Sequence, residues 1–279
     1  MTEMTYIRRE DPAPGVARIV LARAEKRNAQ NPAMLYELDA ALVQAAKAPE
    51  IKVVILAADG PDFSSGHDLE GGFGLPETPV ATMGGHFEMG GAEGHYAFEC
   101  EAFLGLSRRW RDLPKPVIVA AQGRAIAGGL MLLWPFDIII ASEDATFSDP
   151  VTAFGVNGVE YFTHVWEVGR RKAAEMLFTG EAISAEEAKS LGMVNHVVPR
   201  DELETFALRM AEKIVARPTF GLRLAKESIN RSLDAQGQTV ALESALGLHN
   251  LGHAANLARE GTIVVMSGME VIRDLSRHP

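Results

Sequence analysis

The sequence predicts an α/β fold in a single structural domain. Three observations predict it. Continuous apolar runs of strand length, such as Ile51 to Ala57 and Val117 to Ala121, read as strands buried on both faces. Helical patterns alternate with those runs. Each of the two runs leads into a glycine turn, one around Gly66 and one around Gly128.

The elements follow in order. Val16 to Leu21 is a short β-branched strand. Asn31-Pro32 starts a helix, with Asn as cap and Pro in the first turn, and Leu35, Leu38, Leu42 and Ala46 mark one apolar face to about Lys47. After the Ile51 strand, Asp59-Gly60-Pro61 is a turn. Leu113-Pro114-Lys115-Pro116 leads into the Val117 strand, Gly128 to Leu133 reads as a short apolar helix, and Ile138 to Ala141 is a further strand. Ser184 and Glu187 form a capping box, and Gly192 closes that helix. Met193 to Val198 reads as a strand closed by Pro199. From about Asp201 to Ala258 the pattern is helical, broken near Arg217-Pro218 and Gly237. Thr262 to Pro279 is weakly patterned and reads as a mobile tail. Glu70 to Gly94 is glycine-rich and unperiodic, with His86 inside it and His95 just after, and reads as either a functional loop or a disordered one.

Composition narrows the function classes. The chain has 279 residues and is 47% hydrophobic, enough for a sizeable core. Acidic residues number 37 and basic residues 27, a formal charge of −10, which argues against nucleic acid but leaves room for a local basic pocket. Cys100 is the only cysteine, so no internal disulfide forms and a cytoplasmic setting is expected; Cys100 itself reads as a small buried apolar group. No signal peptide and no membrane span are expected, because no apolar run is long enough.

The chemistry sits at the glycine turns. The first is Phe63-Ser64-Ser65-Gly66-His67-Asp68-Leu69, where glycine permits tight curvature and leaves the His67 N–H accessible. The second is Gln122-Gly123-Arg124-Ala125-Ile126-Ala127-Gly128-Gly129, which opens the apolar helix at its positive end. Together they suggest an oxyanion hole, in which one donor is worth about 3 kcal/mol.

Here the sequence resembles the crotonase (enoyl-CoA hydratase/isomerase) superfamily. The resemblance runs from about Val16 to Asn230. Its markers are Arg23 to Ala29, lacking the usual Pro at the second place, then both glycine turns and Asp137 to Ser142. Phe147, Gly155, Gly169-Arg170, Thr179-Gly180, Ala185 to Ala188, Leu191 to Val194 and Val197-Val198-Pro199 follow in order. The resemblance implies a crotonase-like spiral of ββα units over residues 1–200. It implies a C-terminal helical region over 201–279, in the same structural domain, used for trimerisation. It also implies an acyl-CoA thioester substrate, with coenzyme A part of the substrate and no separate cofactor. A homotrimer or dimer of trimers is the implied assembly. The N–H groups of His67 and Gly128 would form the hole. Ser65, His67, Asp68 and Leu69 would line the thioester and pantetheine, and Lys26 and Arg27 would lie near the CoA phosphates.

The acid–base groups depart from the family's hydratases. Hydration needs a water held between two carboxyl groups. The two positions where the hydratases carry glutamate are Met131 and Val151 here, and neither can move a proton. Glu160 falls where some relatives carry a relocated acid. Asp149 is a second candidate, with a turn residue as its alternative reading, and Asp68 reads as a structural residue of its turn. His67, His86, His95 and His164 are further acid–base candidates. No set of residues has metal-ligand spacing, so no metal site is expected. Hydration, double-bond isomerisation and hydrolysis all suit an oxyanion hole. A C–C hydrolase acting on a β-diketone without CoA, and a non-catalytic acyl-CoA binder, are the competing readings.

Overall fold

The apolar strand runs pair side by side because each can be covered on both faces. In the computed structural model, which describes residues 4–69, 79–82 and 90–277, they form a six-stranded sheet. Its order is β1 (Ile7–Ala13), β2 (Val16–Leu21), β3 (Val53–Ala58), β4 (Val117–Ala121), β6 (Ile138–Ser142) and β9 (His196–Val198). β1 and β2 are antiparallel and every other neighbouring pair is parallel. Alternate residues of β3 serve opposite faces. Val54 and Leu56 pack with Leu35, Leu38, Leu42 and Trp110, whereas Val53 and Ile55 pack with Leu203, Ala207 and Ala211. A second, three-stranded sheet joins β5 (Arg124–Ile126), β7 (Thr146–Ser148) and β8 (Ile183–Ser184).

The capping chemistry holds where the sequence places it. Asn31 Oδ1 accepts from Met34 N at 2.8 Å and starts α1 (Pro32–Lys47). Ser184 Oγ accepts from Glu187 N at 3.2 Å and starts α5 (Ala185–Leu191). Between β3 and β4, α2 (Gly91–Glu99) passes through a π turn (Cys100–Gly105) into α3 (Leu106–Arg111). Cys100 is half-buried in that turn. The chain then adds α4 (His164–Thr179), α6 (Leu203–Val215), α7 (Thr219–Ala235), α8 (Gln238–Glu260) and α9 (Gly268–Arg277).

One expectation is sharpened and two need correction. The short apolar helix at Gly128 to Leu133 is a 3₁₀ helix over Ala127–Leu132, and Ala127 holds a left-handed φ of 49°. The strand at Met193 begins only at His196, because the N–H groups of Met193 and Val194 both go to Ala188 O at the end of α5. The tail folds as α9, whose Met269 and Ile272 face the cavity described below.

One buried carboxylate shapes the segment between β7 and α4. Asp149 Oδ2 accepts from Val159 N and pairs with His164 Nε2, each at 2.8 Å, and Oδ1 accepts from Val151 N at 3.4 Å. Asp149 and His164 are completely buried. Their bonds fold residues 149–164 back on themselves and carry Glu160 inward. Asp149→Ala leaves the Val159 N–H and the His164 ring unpaired, so it should lower the unfolding free energy by about 3 kcal/mol in urea denaturation.

Candidate active site

Parallel strands send their following loops out of the same sheet edge. β3 and β4 are such neighbours, so both glycine turns emerge together. Ser64 N donates to Arg124 O, and Ile126 N donates to Ser64 O, each at 3.0 Å. This short parallel ladder sets Gly66 against the second turn. A β-carbon on Gly66 would stand 2.8 Å from Ile126 O and 3.3 Å from Gly128 N, and its φ of +92° also favours glycine. A β-carbon on Gly128 would stand 2.6 Å from the His67 ring, so that ring lies directly over Gly128.

Gln30 ties the two turns, and nothing in its sequence context marks it. Its N–H donates to Gly66 O and its carbonyl accepts from Asp68 N, both at 2.8 Å, so it brackets His67. Its side-chain amide donates to Gly128 O at 2.7 Å.

The turns open on a cavity of about 400 Å³, within the usual range for a small-molecule site. Lys26, Ser65, His67, Asp68, Leu69 and Glu160 all line it, and Phe103, Val151, Phe154 and Val156 supply apolar wall. Arg27 instead opens on an adjoining cavity with Arg124 and Arg273. Asp68 pairs with Arg23 at 2.6 Å while it lines the cavity. Of the two hydratase positions, Val151 meets the cavity, whereas Met131 is packed in the core. Asp149 and His164 face each other in the interior and are not among the residues that line the cavity, and the bond from Val151 N to Asp149 fits the turn reading of that residue. His86 lies outside the described residues.

Glu160 is only 4% exposed, and its Oε2 lies 3.1 Å from His67 Nε2. The His67 ring stacks on Phe103 with centroids 4.0 Å apart. Its Nδ1 is buried and has no hydrogen-bond partner among the described residues. Burial pushes the Glu160 carboxyl up, but the charge and hydrogen bond of His67, with the charge of His249, hold it below the ordinary carboxylate range.

Three further residues of this wall escape a reading by sequence position: Glu99 from α2, and His249 and His253 from α8. His249 Nε2 stands between Glu99 Oε1 at 3.6 Å and Glu160 Oε1 at 3.5 Å. Burial opposes a charge on His249, but the Glu99 hydrogen bond and both carboxylates outweigh it and raise its pKa to about 9. Burial likewise opposes ionisation of Glu99, yet the hydrogen bonds of His249, His253 and His95 hold it well below the usual range. The only signal in sequence is spacing: His95/Glu99 and His249/His253 are both i,i+4 pairs on helices.

Known proteins resemble this chain in sequence and in fold. The profile of the family described as Enoyl-CoA hydratase/isomerase matches residues 11–264. A Mycobacterium tuberculosis relative that carries an enoyl-CoA hydratase name, EchA13, is 44% identical, over 90% of this chain and 82% of its own. "Enoyl-CoA hydratase domain-containing protein 3, mitochondrial" of Rattus norvegicus is 36% identical, over 82% of this chain and 71% of its own. The crystal structure of a "probable enoyl-CoA hydratase" from Mycobacterium smegmatis is 46% identical and superposes with a TM-score of 0.86, covering 94% of this chain and 99% of that one. An enoyl-CoA hydratase/isomerase from Xanthobacter autotrophicus Py2 gives 31% identity and a TM-score of 0.80, covering 97% and 98%. No helix among the described residues is long and apolar enough to cross a membrane.

Gly128→Ala forces the His67 ring off its seat. It should lower stability by about 1–3 kcal/mol, read by urea denaturation, and shift the His67 ring resonances in a histidine-detected NMR spectrum.

Proposed function

The chain belongs to the enoyl-CoA hydratase/isomerase family, within the crotonase superfamily, and we propose that it moves a proton at the α-carbon of an acyl-CoA thioester with a relocated carboxylate, Glu160. The observation that carries this reading is the Glu160–His67 contact at 3.1 Å, at the wall of the cavity that Val151 also lines. The N–H groups of His67 and Gly128 receive the thioester oxygen. The Glu160 carboxylate takes the α-proton, the C–H electron pair moves into the carbonyl, and the two N–H groups stabilise the enolate oxygen. His67 donates from Nε2 to Glu160, so the same residue shapes the hole with its backbone and the base with its ring. The lowered carboxyl pKa keeps Glu160 in its ionised form.

A single carboxylate suits a 1,3-proton shift, in which one group takes a proton from one carbon and returns it to another. Hydration needs water fixed between two such groups, and the positions that supply them in the hydratases are apolar here. Double-bond isomerisation is therefore favoured over hydration. Ser65, Asp68 and Leu69 flank the thioester, and Lys26, Arg27, Arg124 and Arg273 give the acidic chain a local cationic mouth for the CoA phosphates. Assembly as a homotrimer is part of the reading, supported by exposed apolar side chains on α7 and α8, among them Phe220, Ile229, Val240 and Leu251. The single cysteine supports a reducing, cytoplasmic setting.

Two assays on one preparation test the reading. With a 3-enoyl-CoA, isomerisation to the conjugated thioester should be measurable, and Glu160→Gln should lower kcat by about 10²–10⁴-fold while calorimetric binding of acyl-CoA stays within a few-fold. Crotonyl-CoA hydration should be the slower reaction. An unchanged kcat in the variant, or hydration as the faster reaction, sinks the assignment.

A further inference from the structure

The i,i+4 pairs His95/Glu99 and His249/His253 meet where α2 packs on α8, at the wall of the same cavity. His95 Nε2 lies 2.8 Å and His253 Nε2 lies 3.2 Å from the same oxygen, Glu99 Oε1. The three ligand atoms lie within 4.8 Å of one another. All three side chains are more than nine-tenths buried, with exposures of 9%, 1% and 7% for His95, Glu99 and His253.

Their orientation is fixed from outside. His253 Nδ1 lies 2.6 Å from Ile263 O, and His249 Nδ1 lies 2.7 Å from Gly158 O. A carbonyl only accepts, so Nδ1 carries the hydrogen in both rings, and the neutral His253 ring presents a lone pair at Nε2. That lone pair lies beside the Glu99 carboxylate oxygen, with His249 Nε2 2.9 Å away. Glu99 is itself held from behind, because Asn250 Nδ2 donates to Oε2 at 2.7 Å and leaves Oε1 for the cluster. Backbone carbonyls and an amide that fix the tautomer and the oxygen are the outer partners a metal centre uses.

We propose that His95 Nε2, Glu99 Oε1 and His253 Nε2 form a binding site for a divalent transition-metal ion of the zinc class, with its open position toward the cavity. Two imidazoles and one carboxylate are a ligand set of open, tetrahedral zinc sites. Tetrahedral ligand atoms about 2.0–2.2 Å from such an ion stand about 3.3–3.6 Å apart, so the pairs found here at 2.8 and 3.2 Å open slightly to admit it. His249 stands between this triad and Glu160, so the ion and the proposed base share a cavity without sharing a ligand. Sequence order hides the set, since its members come from helices about 150 residues apart. The expectation of no metal site, drawn from linear spacing, is replaced by this proposal.

The test is metal binding itself and does not depend on the thioester reading. Tag-free, chelator-treated protein is titrated with Zn²⁺ by calorimetry and with Co²⁺ by visible spectroscopy. One Zn²⁺ should bind per chain, and Co²⁺ should develop the intense visible bands of four- or five-coordination. Glu99→Gln and His253→Asn should each weaken Zn²⁺ by more than the roughly 10–100-fold of an outer-partner change. The absence of saturable one-to-one binding, a Co²⁺ spectrum that stays that of the aqueous ion, or wild-type affinity in both variants overturns the site. The Co²⁺ spectrum of the wild-type protein decides the matter even where a variant fails to fold.

Discussion

The site depends on the seam between the two glycine turns. Two backbone hydrogen bonds at 3.0 Å, from Ser64 N to Arg124 O and from Ile126 N to Ser64 O, lock loops that leave neighbouring strands. Gln30 then spans the seam, bonding Gly66 and Asp68 through its backbone and Gly128 through its side chain. These backbone bonds satisfy polar groups that the seam removes from water, which holds the two loops together. The left-handed φ of 49° at Ala127, uncommon for a residue with a β-carbon, sits just before Gly128 and is held by this surrounding lattice. Everything chemical in the cavity is positioned relative to this junction.

The junction also bears on the proposed role of Glu160. With Met131 buried in the core, the space over Gly128 is taken by the His67 ring, seated between Gly128 and Phe103. That ring reaches Glu160, which Asp149 and His164 swing inward by closing residues 149–164. Two carboxylates, Glu99 and Glu160, are then balanced by the histidines around them rather than by water. Burial alone would neutralise both, so the histidines decide their charge.

Local chemistry was legible in the sequence and long-range convergence was not. The caps at Asn31 and Ser184, the strands of the parallel sheet and the helix breaks at Pro218 and Gly237 follow from residue type and period. His67 and Glu160 were legible because they sit at marked positions of a family pattern. Gln30, Glu99, His249 and His253 were not, because their partners lie up to about 150 residues away. Asp149 carried two readings, turn residue and catalytic candidate, because a carboxylate before proline looks the same in sequence whether it faces solvent, a pocket or the core. The last helix, Gly268–Arg277, was missed because a helix of 10 residues takes its stability from packing rather than from its own propensity.

The central claim is that an oxyanion hole and one carboxylate together make the α-proton of a bound thioester labile. It is tested most directly by incubating the protein with a saturated acyl-CoA in D₂O and weighing the recovered thioester by mass spectrometry. A saturated chain offers no double bond to hydrate or shift, so only enolate formation is read. The account predicts deuterium at the α-carbon at a rate far above buffer, with the rest of the chain unlabelled. A thioester that binds but stays free of deuterium would contradict it.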